Sequence, residues 1–181
     1  LGAGTFGGKM EQGEADAMIC GTVGQFQLHL SFIQDVLGLE PGVHQPATMN
    51  MLLHPKGTFF ICDTYVNPDP SAQEIAEMTV LAATEVQRFG ITPKIALLSH
   101  SSFGSVDTTS SIKMREALKL INQIAPQLEV EGEMHGDAAM SEEIRLQVFP
   151  NSRLTGRANL LIMPTLDAAN ISFNLIKVLG D

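Results

Sequence analysis

Apolar positions along the chain recur at two different spacings, and the change between them marks out the elements. Ala17–Gly21 (AMICG) is a short apolar run closed by a glycine and reads as a buried strand. Phe26, Leu30, Ile33 and Leu37 recur at helical spacing, and Gly38 closes that segment. Thr48–His54 and Thr58–Tyr65 are β-like runs joined by Pro55-Lys56-Gly57, a hairpin signal that makes them antiparallel. A long helical segment, Ala72–Phe89, follows Ser71 and ends at Gly90; Ser71 with Glu74 matches a capping box. The remainder alternates: strand Lys94–Ser99, helix Ser110–Ile124 stopped by Pro126, strand Leu128–Met134, helix Ser141–Phe149, strand Ala158–Pro164, helix Asp167–Leu179.

Strands alternating with helices predict a mostly parallel sheet with helices on both faces, an α/β architecture, here with one antiparallel hairpin added. No internal repeat or low-complexity tract interrupts the pattern. Ligands of such sheets bind at the carboxyl ends of the strands. That rule directs attention to four loops, Asp63–Pro70, His100–Ser110, His135–Met140 and Thr165–Asn170.

Composition narrows the class. A chain of 181 residues fits one domain and buries about 70% of its unfolded surface. With 44% hydrophobic and 17% charged residues it is globular. A net charge of −9 repels nucleic acid on average, so no nucleic-acid partner is expected. No run is long enough to span a bilayer, and no membrane partner is expected either. The chain starts at Leu1 without a signal-peptide pattern, which reads as a piece of a longer protein cut at both ends. Cys20 and Cys62 lie in apolar runs without CxxC spacing, which fits buried thiols and a cytoplasmic location.

Candidate chemistry is sparse. Gly2-x-Gly4-x-x-Gly7 matches a dinucleotide fingerprint, but no strand precedes it, so the context fails. The stretch Ser99-His100-Ser101-Ser102-Phe103-Gly104-Ser105 follows a buried strand and brings together hydroxyls, a glycine and backbone N–H groups. Two readings stand there: a phosphate cradle, or an ordinary polar loop. It is neither a Walker loop nor a nucleophile elbow. Asp137 reads as the cap of a helix. Asp63, Asn67 and Asp69 either line a cleft or make turns, and Asp167 and Asn170 open the last helix. The five histidines show no ligand spacing, so no metal site is expected.

Seven stretches, in order, resemble the phosphate acetyl/butyryl transferase family: Glu14–Gly21, Asp63–Pro70, Arg88–Pro93, Leu97–Ser105, Lys113–Ala117, Asp137–Ala139 and Met163–Ile171. Within the family, Leu98–Ser105, Gly132–Asp137, Pro150–Arg153 and Leu166–Ile171 are most similar to the carboxy-terminal domain of bacterial NADP-dependent hybrid malic enzymes. The resemblance implies one phosphotransacetylase-like domain over 1–181. Its fold would be three-layer α/β with a mostly parallel sheet, isocitrate/isopropylmalate dehydrogenase-like, with α/β elements at 1–46 and 90–181 and the 47–65 hairpin at the centre or at a dimer interface.

It also implies a function. The family's transferases carry an arginine before a proline on the first helix to hold the acyl phosphate. Laid over this chain without gaps, those positions fall on Ser31 and Phe32, and a hydroxyl does not replace a guanidinium fork. The family's late Ser-Arg segment has no counterpart up to Asp181. The expectation is a non-catalytic regulatory domain that binds acetyl-CoA as an effector of a hybrid malic enzyme, which converts malate to pyruvate and CO2. Implied effector-binding residues are Ser99, Ser101, Ser102, Gly104, Ser105, Asn67, Asp137, Asp167 and Asn170, with Ser31 as a degenerate catalytic position and no catalytic residue. NADP and a divalent metal would serve only an upstream malic-enzyme domain, and the chain would form a homo-oligomer. The alternatives are an active phosphate acetyltransferase and a dimerisation module with a dead pocket.

Overall fold

The structure is a computed structural model that describes residues 9–19, 21 and 23–180. It divides into two compact units between Gln45 and Pro46. The first holds helix α1 (Phe26–Leu37), which follows an extended Gln25 and ends at Gly38 with φ +69°. The apolar run at 17–21 forms no strand at its described positions, and Ile19 is fully exposed. A strand requires a ladder partner, and every described strand lies between Met49 and Ile162. Gly2, Gly4, Gly7 and Cys20 lie outside the described residues.

The second unit, 46–181, is built on one five-stranded sheet. Strands β1 (Met49–His54) and β2 (Gly57–Cys62) form the antiparallel hairpin. Strands β3 (Lys94–Leu98), β4 (Glu129–Met134) and β5 (Leu160–Ile162) complete it in the order β1-β2-β5-β3-β4, and every pairing except β1–β2 is parallel. The hairpin is therefore integral to the sheet, with β1 outermost.

Side chains alternate across the sheet as the pleat requires. Phe60, Cys62, Ile95, Leu97, Leu160 and Ile162 meet helices α2 (Ala72–Arg88) and α3 (Thr109–Ile124) on one face. Phe59, Ile61, Ala96, Leu98, Leu161 and Met163 meet α4 (Gly136–Met140) and α6 (Leu166–Leu179) on the other. The result is the expected three-layer α/β arrangement. A short α5 (Glu142–Val148) follows α4.

Local chemistry sets the boundaries. The Ser71 capping box is present in both directions, Glu74 N–H to Ser71 Oγ at 3.3 Å and Ser71 N–H to Glu74 Oε2 at 2.6 Å. Strand β2 ends at Cys62, short of Tyr65, because the buried Asp63 carboxylate takes the next amides: Tyr65 and Val66 donate to Oδ1, and Asn67 to Oδ2. Strand β5 is shorter than predicted, as Pro164 has no N–H to continue the ladder. Residues 136–140 form a helical turn where a loop was predicted. His135, not Asp137, holds the N-cap position; Asp137 lies in the first turn and accepts only from the adjacent Ala138 N–H. Gly132 sits where β4 passes β3 at a register shift, and a Cβ there would lie 2.6 Å from Leu97 O, so only glycine fits.

Candidate functional site

The carboxyl ends of β2, β5 and β3 form a topological switch point. The helices that follow β2 and β3 pack on one face of the sheet, and the helix that follows β5 packs on the other. Such a divergence opens a crevice at the rim. A cleft of about 390 Å³ lies there, lined by Asp69, Pro70 and Ser71 before α2, Glu74 in its first turn, Thr109, Ser110 and Lys113 of α3, and Thr165 before α6. The amino ends of three helices of 14 to 17 residues thus border one cleft; these ends favour negative charge, and the two carboxylates of the lining are already taken up, Glu74 by the Ser71 amide and Asp69 by Lys113.

Lys113 supplies the cation. Its side chain is 13% exposed, and Nζ donates to Asp69 Oδ1 at 2.5 Å and to Pro164 O at 2.8 Å, tying together the loops after β2 and β5. An ammonium has three N–H donors, so two are committed to the protein. Asp69 is 78% exposed, which makes this ion pair easy for an anion to reorganise.

The 99–106 loop lies on the same rim but is closed on itself. Ser101 N–H donates to Ser99 Oγ, Ser102 N–H to Ser105 Oγ, Gly104 N–H to Glu133 Oε1 and Val106 N–H to Ser101 Oγ, at 3.0–3.1 Å. Phe103 N–H donates to Glu133 O at 2.7 Å and Ser105 N–H to Ser102 O at 3.1 Å. Ser101 Oγ donates to Glu133 Oε1 at 2.7 Å, and Ser102 Oγ accepts from His135 N–H. Phe103 stacks on Phe149 with ring centroids 4.5 Å apart. Hydroxyls, glycine and amides do converge as predicted, but the amides of 101–106 are bonded within the protein instead of being free.

The remaining predicted residues spread around the rim. Asn67 Nδ2 donates to Asp63 Oδ2 at 2.6 Å and to Pro46 O at 2.9 Å, bracing the loop after β2. Asn170 Nδ2 donates to Thr64 O at 3.1 Å, joining α6 to that loop. Asp137 and Asp167 are exposed. In the first unit Ser31 is exposed, and its hydroxyl donates to Leu28 O at 2.9 Å.

Sequence reasoning missed three groups. Lys113 stood in a family-like stretch but drew no role; its (i, i+4) relation to the α3 start was the available signal. Glu133 is buried and organises the loop from a neighbouring strand. Arg115 joins Glu133 Oε1 at 3.1 Å and pairs with Asp107; its pKa is raised, chiefly by the hydrogen bond to Asp107 and then by Glu133, against a lowering by desolvation.

A second recess, of about 400 Å³, lies under α4 and α6 between Phe59, Leu98, Met140, Leu161, Met163 and Ile176. Its walls are largely apolar, and it lacks the convergence of helix amino ends seen at the rim. Among the described residues no cluster of three His, Cys, Asp or Glu side chains is placed to hold a metal ion, and no helix is long and apolar enough to cross a membrane.

The profile of the phosphate acetyl/butaryl transferase family matches residues 5–181. An NADP-dependent malic enzyme of Escherichia coli (strain K12) is 56% identical over 169 residues, 93% of this chain and 22% of that protein. An NAD-dependent malic enzyme of Rhizobium meliloti (strain 1021) is 51% identical over 172 residues, 95% of this chain and 22% of that protein. Among solved structures, the EutD phosphotransacetylase from Staphylococcus aureus superposes with a TM-score of 0.89 at 28% identity, covering 98% of this chain and 55% of that one. The chain therefore spans about a fifth of the malic enzymes it matches.

Proposed function

The chain belongs to the phosphate acetyl/butaryl transferase family, and on that premise we propose that it is the acetyl-CoA-binding regulatory domain of a hybrid malic enzyme and carries out no acyl transfer. The parent enzyme would convert malate to pyruvate and CO2 in an upstream domain that holds NADP and a divalent metal. The observation that carries the binding reading is the cleft at the switch point, where three helix amino ends and Lys113 face one space. A phosphorylated ligand suits that field. Ser99, Ser101, Ser102, Gly104 and Ser105 then form a rigid wall of the ligand site, with Asn67, Asp137, Asp167 and Asn170 around it.

One feature favours binding over turnover: the family resemblance lays the transferases' acyl-phosphate arginine over Ser31, which offers a neutral hydroxyl in its place. The fold likeness to a phosphotransacetylase keeps active acyl transfer as the competing reading. Regulation requires that acetyl-CoA bind two states of the parent with different affinity, which a homo-oligomer provides. Met51 and Leu53 on the outermost strand, and Ile171, Leu175 and Val178 on α6, are among the exposed apolar side chains of the second unit available for subunit contact.

Calorimetry with acetyl-CoA, run beside an assay of acetyl phosphate formation, separates the readings. We expect heat of binding without turnover. Lys113→Met should weaken binding by about tenfold to a hundredfold, the worth of one charge-assisted hydrogen bond. Acetyl phosphate formation by the chain would sink the regulatory reading, and unchanged affinity in Lys113→Met would remove the cleft from it.

A further inference from the structure

The carboxylate of Glu133 occupies a position built like an anion site. It is wholly buried. Its Oε1 accepts from the Ser101 hydroxyl at 2.7 Å, the Gly104 amide at 3.0 Å and the Arg115 guanidinium at 3.1 Å. A hydroxyl, a backbone amide beside a glycine and a guanidinium are the donors that loops use to hold a phosphate oxygen. Here all three converge on an oxygen of the protein's own. The second oxygen, Oε2, is buried without a hydrogen-bond partner. A buried carboxylate oxygen that lacks a donor is disfavoured, so this group is held by what surrounds Oε1.

The rest of the loop is arranged around that oxygen. The Phe103 amide donates to the Glu133 carbonyl, and Ser101 Oγ also accepts from the Val106 amide. Arg115, which carries charge to Glu133, is shared with Asp107 just past the loop.

We infer that Glu133 is an internal anion that locks the 99–106 loop, filling the seat an incoming phosphate would otherwise take and confining phosphate binding to the neighbouring Lys113 cleft. The inference rests on the proposed ligand site and specifies how it is divided: the loop is closed to anions, and the cleft is open. Glu133 is thus a positioning residue that sets where the ligand's phosphate is held.

The test is an amide-resolved NMR titration of the chain with pyrophosphate and with acetyl-CoA, in the native form and in Glu133→Ala. In the native protein we expect saturable shifts at Ser110 and Lys113 and none at Gly104 and Val106. Glu133→Ala removes both the charge and the oxygen that fills the seat, leaving the Ser101 hydroxyl, the Gly104 amide and the Arg115 guanidinium to meet an incoming anion. It should add saturable pyrophosphate shifts at Gly104 and Val106 and tighten pyrophosphate binding by roughly tenfold. A merely structural role would leave affinity equal or weaker, and that result overturns the lock. Saturable shifts at Gly104 in the native protein overturn it as well, whether or not the variant folds. Absence of shifts at Ser110 and Lys113 with a gain at Gly104 in the variant would sink the cleft assignment while leaving the lock standing. If the variant does not fold, the native titration decides alone, with a silent Gly104 supporting the lock.

Discussion

Single side chains decide how the rim of this sheet is shaped. Asp63 is 3% exposed and gathers the amides of Tyr65, Val66 and Asn67, together with the Thr48 hydroxyl at 2.5 Å. One carboxylate thereby turns a strand into a loop. Its neighbour Cys62 is buried on the α2 face, and its thiol pKa is pushed up by burial first and by the adjacent Asp63 second. The native thiol therefore stays protonated and inert as a nucleophile. The unfolded chain releases that proton near its usual pKa of about 8.5. Below that value the two states bind equal protons, and above it the unfolded state binds fewer, so stability falls as pH rises. The expected loss attributable to Cys62 between about pH 7.5 and about pH 9.5 is about 1.4 kcal/mol. Denaturant titrations of the native protein and Cys62→Ala should show this difference, and parallel loss in both would contradict it.

At the scale of elements, the helix boundaries follow caps and the loops follow buried polar groups. The capping box at Ser71 was legible because the Ser-x-x-Glu pattern is local. Its counterpart at Thr108 uses Ser111 in place of Glu or Gln, so the pattern escaped notice although both bonds form. Arg145 is the more instructive case. In sequence it is a charged residue on a short helix. In the fold it is wholly buried, and its guanidinium donates to Ala138 O at 2.9 Å and to Leu154 O and Gly156 O at 2.8 Å. Desolvation lowers its pKa, opposed by Glu142, Glu131 and Glu129. It fastens the segment between α5 and β5 to α4. Arg145→Met would leave three carbonyls without that donor, and we expect a loss of about 3–5 kcal/mol in urea unfolding. A loss under about 1 kcal/mol would show that water replaces it at no penalty.

For the molecule as a whole, the cleft exists because three loops far apart in sequence end at one rim. Ligand binding there should protect all three together. Hydrogen exchange measured with saturating acetyl-CoA is expected to slow in 63–70, 109–113 and 163–170, since a ligand stabilises the state that binds it. Protection confined to one of the three loops would mean that the ligand sits elsewhere.

The sequence by itself determined the α/β class, the hairpin, most helix boundaries and the family, because periodicity, caps and ordered motifs are written in neighbouring residues. It also pointed to the rim, since parallel sheets place their crevices at strand ends. The tertiary structure alone decided which donors at that rim are already taken. Whether Gly104 N–H meets a ligand or Glu133 depends on a register between β3 and β4 that separates the pair by 29 residues. The apolar run at 17–21, at its described positions, shows the same limit from the other side: a strand forms only against a partner strand, and that partner is not encoded in the run itself.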